Sequence, residues 1–267
     1  MQTSQSAAAF RELHYQATPV LLPNAWDAGS ARLIESLGAA AIATTSAGVA
    51  WSLGYRDGNA LPVEVYAARA ASISRVISVP LSVDIEGGYA DDPAKVAETV
   101  SRLIDAGTVG INIEDGVGSP DLLCRKVEAV RAVGERCGVP LYINVRTDVY
   151  ARGLAPEGQR VTEVLARARG YRTAGADGLF VLGLVKSEEM SAIARDSGLL
   201  LNVIVWPELP PLDALAEFGV RRVSVGSWFP QTLWAHTAQL VRGFLRDGAL
   251  TPMIADATPY SEVNKTF

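Results

Sequence analysis

Three short stretches of this 267-residue chain place ionisable groups where an apolar alternation ends: "LSVDIEGG" at 81–88, "INIEDG" at 111–116 and "INVRTD" at 143–148. Side chains two apart on a strand share a face. Asp84 therefore pairs with Glu86, Asn112 with Glu114, and Asn144 with Arg146 and Asp148, while Val83, Ile85, Ile113 and Val145 turn the other way. Converging at one mouth, Asp84, Glu86 and Glu114 against Arg146 leave an excess of about two negative charges, which a low-dielectric site does not tolerate. A divalent cation removes that excess. An all-oxygen set, with His14, His236 and the thiols elsewhere in the sequence, favours Mg2+ or Mn2+ over Zn2+. Asp84 is then the direct or nearly direct ligand, with Glu86 and Glu114 holding its waters. The bland alternative is an internal charged layer in which Arg146 merely neutralises two carboxylates.

The elements that must position these groups form one rhythm. Short β-branched runs at 19–25, 40–45, 80–86, 109–114, 140–146, 177–182, 199–205 and 221–226 alternate with amphipathic stretches such as "DPAKVAETVSRLIDAG". Gly follows most of the helical stretches, as a helix C′ position prefers. Eight βα units with no composition break imply an α/β protein: a single (β/α)8 TIM barrel over 1–267, with 228–267 as closing helix and C-terminal arm. A doubly wound open sheet is the alternative, and no G-x-G-x-x-G follows the first strand to support it. In the barrel, active sites sit at the C-terminal strand ends, where the three acidic stretches lie.

Composition narrows the partners. A net charge of -5 and a pI near 5.2 argue against nucleic acid, and no apolar run reaches the length of a membrane span. Two cysteines, Cys124 and Cys137, and no apolar leader fit a cytoplasmic protein.

After the second strand, "TTSAGVAWSLGYRDGNALP" reads as a long loop, and such loops in compact domains are usually functional. Its small residues offer backbone N–H groups to an anion. From this loop's "LLPNAWDAGSARLIESLGAAAIATTSAGVAWSLGYRDG" context through "VDIEGGY", "GINIED" and "VRTD" to "LNVIV" and "VSVGSW", the chain resembles the isocitrate lyase / phosphoenolpyruvate mutase superfamily. The resemblance covers nearly the whole chain. It implies a barrel that binds Mg2+ and a 2-oxo acid or its enol, and that makes or breaks a C–C or P–C bond beside an enolate. By the same resemblance, Thr45, Ser46, Ala47 and Gly48 are the carboxylate- or phosphate-binding stretch and Asp57 is an acid near the metal. Asp84 is the main metal-binding aspartate, with Glu86 and Glu114 as outer-sphere partners. Arg146 contacts the substrate's oxygens, and Asn202 is a polar residue across the pocket. Asp57 and Arg146 are the catalytic candidates. Relatives of this type are commonly homo-oligomers, tetramers that pack or exchange their last helices, and the aromatic closing helix "SWFPQTLWAHTAQLVRGFLRDG" suits a dimer or tetramer.

One departure bears on activity. Lyase members carry a mobile Lys-Lys-Cys-Gly-His loop after the "IED" strand. Here about six residues separate Glu114 from a helical pattern that starts near Asp121, and Cys124 and Lys126 fall inside that helix as packing and surface residues. Isocitrate or methylisocitrate cleavage is therefore disfavoured. Small 2-oxo acids of oxaloacetate type rank first as substrates, and phosphonopyruvate-type P–C chemistry second. A Schiff-base aldolase lacks an inward strand lysine. A 2-oxo acid-binding barrel without turnover stays open.

Overall fold

The computed structural model describes residues 3–255 and 257–267. Its strands are β1 (Val20–Leu22), β2 (Asn24–Ala25), β3 (Ile42–Thr44), β4 (Leu81–Asp84), β5 (Gly110–Glu114), β6 (Tyr142–Thr147), β7 (Gly178–Val181), β8 (Leu200–Ile204) and β9 (Val220–Ser224), all paired in parallel. β1 pairs with β9 and β2 with β3, so the sheet runs round from β1 through β9 to β2. β1 and β2 are one barrel strand interrupted at Pro23, which lacks the N–H that would continue the ladder. The eight expected strands and their order are therefore all present, as a (β/α)8 barrel.

The helices, in chain order α1 (Thr3–Leu13), α2 (Ala28–Ser36), α3 (Ser46–Ser52), α4 (Val63–Ser74), α5 (Pro93–Asp105), α6 (Pro120–Arg136), α7 (Arg160–Thr173), α8 (Ser187–Asp196), α9 (Leu212–Leu215), α10 (Trp228–Asp247), α11 (Thr251–Ala255) and α12 (Tyr260–Lys265), explain the packing. In α5 (Pro93–Asp105), Asp92 caps the first turn through Ala94 N at 2.9 Å, Pro93 occupies N1, and Val96, Val100, Leu103 and Ile104 form the buried stripe. Each such fully buried aliphatic side chain contributes roughly 1.5–3 kcal/mol. α6 (Pro120–Arg136) repeats the pattern with Leu123, Val127, Val130 and Val133. Between α5 and β5 the chain turns through Gly107 at φ +96°, where a side chain would be strained.

The barrel floor is closed by the N-terminal helix α1 (Thr3–Leu13), which the sequence pattern did not single out. Phe10 and the adjoining His14 are fully buried, and the His14 ring stacks on Tyr142 at 4.0 Å. A Cβ on Gly110 would lie 2.6 Å from the Phe10 ring, so the plug fits only because β5 begins with glycine. Above it lies an amide layer. Asn144 Nδ2 donates to Asn112 Oδ1 (2.9 Å) and Asn202 Oδ1 (2.8 Å), and Arg222 Nη2 donates to Asn112 Oδ1 (3.1 Å). Register then sets Glu114 opposite Arg146, and Arg146 opposite Phe180.

The closing helix α10 (Trp228–Asp247) carries no buried residue; Trp234 and Leu245 are 70% and 76% exposed. The C-terminal arm contains two short helices, α11 (Thr251–Ala255) and α12 (Tyr260–Lys265). The chain end returns to its own barrel, where Arg32 Nε donates to Thr266 O at 2.6 Å. No described helix is long and apolar enough to cross a membrane.

Candidate active site

Asp84 ends β4 with its backbone braced on both sides. Its N–H donates to Thr44 Oγ1 (2.9 Å), and its carbonyl accepts the buried Tyr66 hydroxyl (2.5 Å). Its Oδ2 accepts from Ser46 Oγ (2.9 Å) and Ser46 N (3.3 Å). Thr44 and Tyr66 carry no motif that sequence reading could have used. Their role comes from the barrel register.

The first part of the stretch expected to be loop is a short helix, and residues 53–62 remain loop. Thr45 caps α3 (Ser46–Ser52), because "SAGVAWS" is free of prolines and follows a capping threonine. Ala47 and Gly48 are buried, and a Cβ on Gly48 would meet Trp26 and Pro230 at 3.0 and 3.1 Å. Gly48 thus admits the start of α10, whereas Ser46 is the member of the stretch that faces the acids. Asp57 stands on the exposed rim. Partial burial and then the nearby Asp84 raise its carboxyl above the ordinary range, opposed in part by Gly58 N and Arg146.

Glu86 reaches the mouth differently from the strand alternation. β4 ends at Asp84, and Glu86 sits at φ +51°, a left-handed conformation that side chains rarely adopt. Its carboxylate accepts the Asn59 backbone N–H. The segment is clamped from behind by Lys126, whose ammonium donates to Gly87 O at 2.8 Å with 8% of its side chain exposed. Lys126 is therefore a buried anchor, not the surface residue the helical pattern suggested. Cys124 packs half-buried beside Gly170.

Glu114 and Arg146 complete the mouth. Arg146 Nη1 pairs with Glu114 Oε2 at 2.8 Å, and its Nε and Nη2 grip the fully buried Asp148 at 2.7 and 3.0 Å. Phe180 lies under the guanidinium at 6.0 Å. Even with Arg146 beside it, Glu114 is pushed up to about 8, first by burial and then by Asp84, Asp148 and Glu86. Asn202, the residue expected across the pocket, is 1% exposed. Its amide bonds Val203 O, Arg222 O and Ser224 Oγ, leaving no free donor for a ligand.

Asp57, Asp84, Glu86 and Glu114 thus converge on a mouth where Arg146 is their sole ion-pair partner among the described residues. No three His, Cys, Asp or Glu side chains among the described residues close on a point that could hold a metal. The set suits an ion held by few direct side chains and several waters, which is the habit of Mg2+.

The crowding predicts a pH dependence. Folded protein keeps the Glu114 proton to about pH 8, whereas an unfolded chain releases it near the ordinary 4.5. The folded state binds the extra proton across that window, so stability falls as pH rises through it. For chelator-treated protein the unfolding free energy should drop between pH 5.5 and 8.5, by about a few kcal/mol at most, and the denaturation midpoint should fall with it. Glu114→Gln should flatten the slope. Equal slopes in the two proteins would refute the assignment.

The chain matches the family model described as phosphoenolpyruvate phosphomutase over residues 10–245. It is 34% identical to an uncharacterized protein of Mycobacterium tuberculosis H37Rv, over 96% of this chain and 94% of that one. It is 30% identical to an oxaloacetate decarboxylase of Pseudomonas fluorescens SBW25, covering 81% of this chain and 77% of the relative. A crystal structure of a candidate phosphonomutase from Burkholderia cenocepacia J2315 superposes with a TM-score of 0.85 at 39% identity, covering 89% of this chain and 99% of that one.

Proposed function

This chain belongs to the phosphoenolpyruvate phosphomutase family, and we propose that within it the protein is a Mg2+-dependent lyase, of decarboxylase type, acting on a small 2-oxo acid through an enolate. The observation that carries this reading is the convergence of Asp84, Glu86 and Glu114 with one compensating guanidinium, in a mouth where burial first and the neighbouring acids second raise Glu114 to about 8. Asp84 would hold the ion, and Glu86 and Glu114 its waters. When bound, Mg2+ supplies Lewis-acid polarisation of the carboxylate and carbonyl oxygens of the substrate.

The remaining work falls to the chain. Ser46 fixes the direction of the Asp84 carboxylate. Arg146 is held rigid by Asp148 and Phe180, and its spare Nη N–H groups face negative charge that develops on the substrate's oxygens. Asp57, its carboxyl raised and at the rim, can pass a proton between solvent and the mouth. The similarity to an oxaloacetate decarboxylase supports an oxaloacetate-like substrate. The similarity to a candidate phosphonomutase supports phosphonopyruvate-type P–C chemistry as the second reading. The exposed aromatic face of α10 supports a homo-oligomer, a dimer or tetramer.

Turnover tests the proposal. Oxaloacetate, phosphonopyruvate and a set of longer 2-oxo acids are followed by NMR with Mg2+ and with excess chelator. Release of pyruvate or its enol from at least one, stopped by chelator and restored by Mg2+, is the expected result. Binding without turnover of any would reduce the protein to a metabolite-binding barrel, and turnover in full chelator would remove the metal from the mechanism.

A further inference from the structure

The acids of the mouth open sideways into a cleft of about 500 Å3 between the 86–91 and 115–119 segments. That volume lies in the range of pockets for ligands well above a four-carbon acid. Glu86 and Glu114 belong to its wall, Leu122 and Leu123 give it an apolar surface, and Lys126 and Arg152 supply two cations. The Lys126 ammonium is already tied to Gly87 O. Arg152 is not fully engaged. Its Nε donates to Asp148 Oδ2 at 2.7 Å, the oxygen that also accepts Arg146 Nη2 at 3.0 Å. Arg146 divides its guanidinium between Asp148 and Glu114, so Arg152 is bound to the buried carboxylate through Nε alone. The Arg152 side chain is 50% exposed, and its Nη1 and Nη2 have no partner among the described residues. On one side the cleft is bounded by the short connection Asp115–Ser119 between β5 and α6.

We propose that this cleft receives the remainder of a substrate longer than four carbons, and that Arg152 is a specificity-determining residue that reads a carboxylate at its far end. The inference rests on the 2-oxo acid reading of the mouth and adds a second recognition point to it. The distal acid is distinct from any carboxylate lost as CO2. A guanidinium gripping a leaving carboxylate holds its charge in place and opposes its departure. Apolar Leu122 and Leu123 suit the methylene groups between the two ends.

Titration calorimetry of the whole protein with Mg2+ present tests the assignment through matched pairs: 2-oxoglutarate against 2-oxopentanoate, and 2-oxoadipate against 2-oxohexanoate. Oxalate, too short to leave the mouth, serves as the reference. At one chain length at least, the diacid should bind about tenfold or more tightly than its monoacid partner, as a charge-assisted contact supplies. Arg152→Met should erase that preference while oxalate affinity changes far less. Arg152→Lys should keep part of it, since the charge stays and the planar fork is lost. No diacid preference in the parent, or a preference that survives Arg152→Met, overturns the role of Arg152. A parent that binds neither oxalate nor any 2-oxo acid overturns the reading of the mouth, and this inference falls with it.

Discussion

Asp84→Asn is expected to lower kcat by about a thousandfold or more, close to 4 kcal/mol in barrier, and to remove Mn2+ binding in the same step. The substitution keeps the shape of the side chain and deletes its charge. The backbone bonds to Thr44 and Tyr66 do not depend on that charge, so the end of β4 stays in place. Removing one of several crowded carboxylates also relieves repulsion on Asp57, Glu86 and Glu114, each of which is raised in part by Asp84. The variant should therefore melt at or above the temperature of the metal-free parent while losing function. Electron paramagnetic resonance of free Mn2+ reports binding apart from turnover. If Asp84→Asn keeps the parent's kcat, or binds Mn2+ as tightly, another group carries the metal and the central assignment fails. Loss of turnover with Mn2+ binding intact would instead make Asp84 a substrate or proton-handling group.

The parts of this site that were legible in the sequence follow from period and chemistry. Strand faces obey a period of two whatever surrounds them, so Glu114, Arg146 and Asp148 could be assigned to one inward face before any fold was known. The parts that were not legible depend on contacts between distant segments. Glu86 looked like the next inward residue of β4, yet it reaches the mouth from a left-handed turn held by Lys126, 40 residues further along the chain. A helical period marks Lys126 as a helix position and says nothing about where its long side chain ends. Asn202 was placed across the pocket only by resemblance, and the acceptors that engage its Nδ2 lie on β8 and β9 and become visible only with the register of the two strands. The 45–48 stretch misled for a different reason. Small residues suit both an anion-binding loop and a tightly packed helix start, and the contact of Gly48 with Pro230 of α10 decides between them.

Arg146→Lys is expected to reduce kcat about a hundredfold, or roughly 2.7 kcal/mol, the scale of removing one oriented donor at developing negative charge. The geometry sharpens what that number means. The native guanidinium makes three protein contacts at once: Nε and Nη2 to Asp148 and Nη1 to Glu114. A lysine ammonium keeps the charge but cannot span both carboxylates and still present a fixed N–H to the substrate. Two losses are therefore combined, one in rigidity and one in charge stabilisation, and they separate by measurement. Asp148 retains Arg152 at 2.7 Å, so the stability loss stays limited to one partner of a buried carboxylate, about 1–3 kcal/mol. The catalytic loss should appear in kcat more than in KM, because the charge Arg146 meets is larger in the transition state than in the bound substrate. Oxalate, a planar mimic of the enolate, should bind the variant more weakly than the parent in the presence of Mg2+. A variant that melts early yet turns over normally and binds oxalate as well as the parent would make Arg146 a structural counter-ion for Asp148 and Glu114. The strand that carries Arg146 would then belong to the scaffold of the mouth.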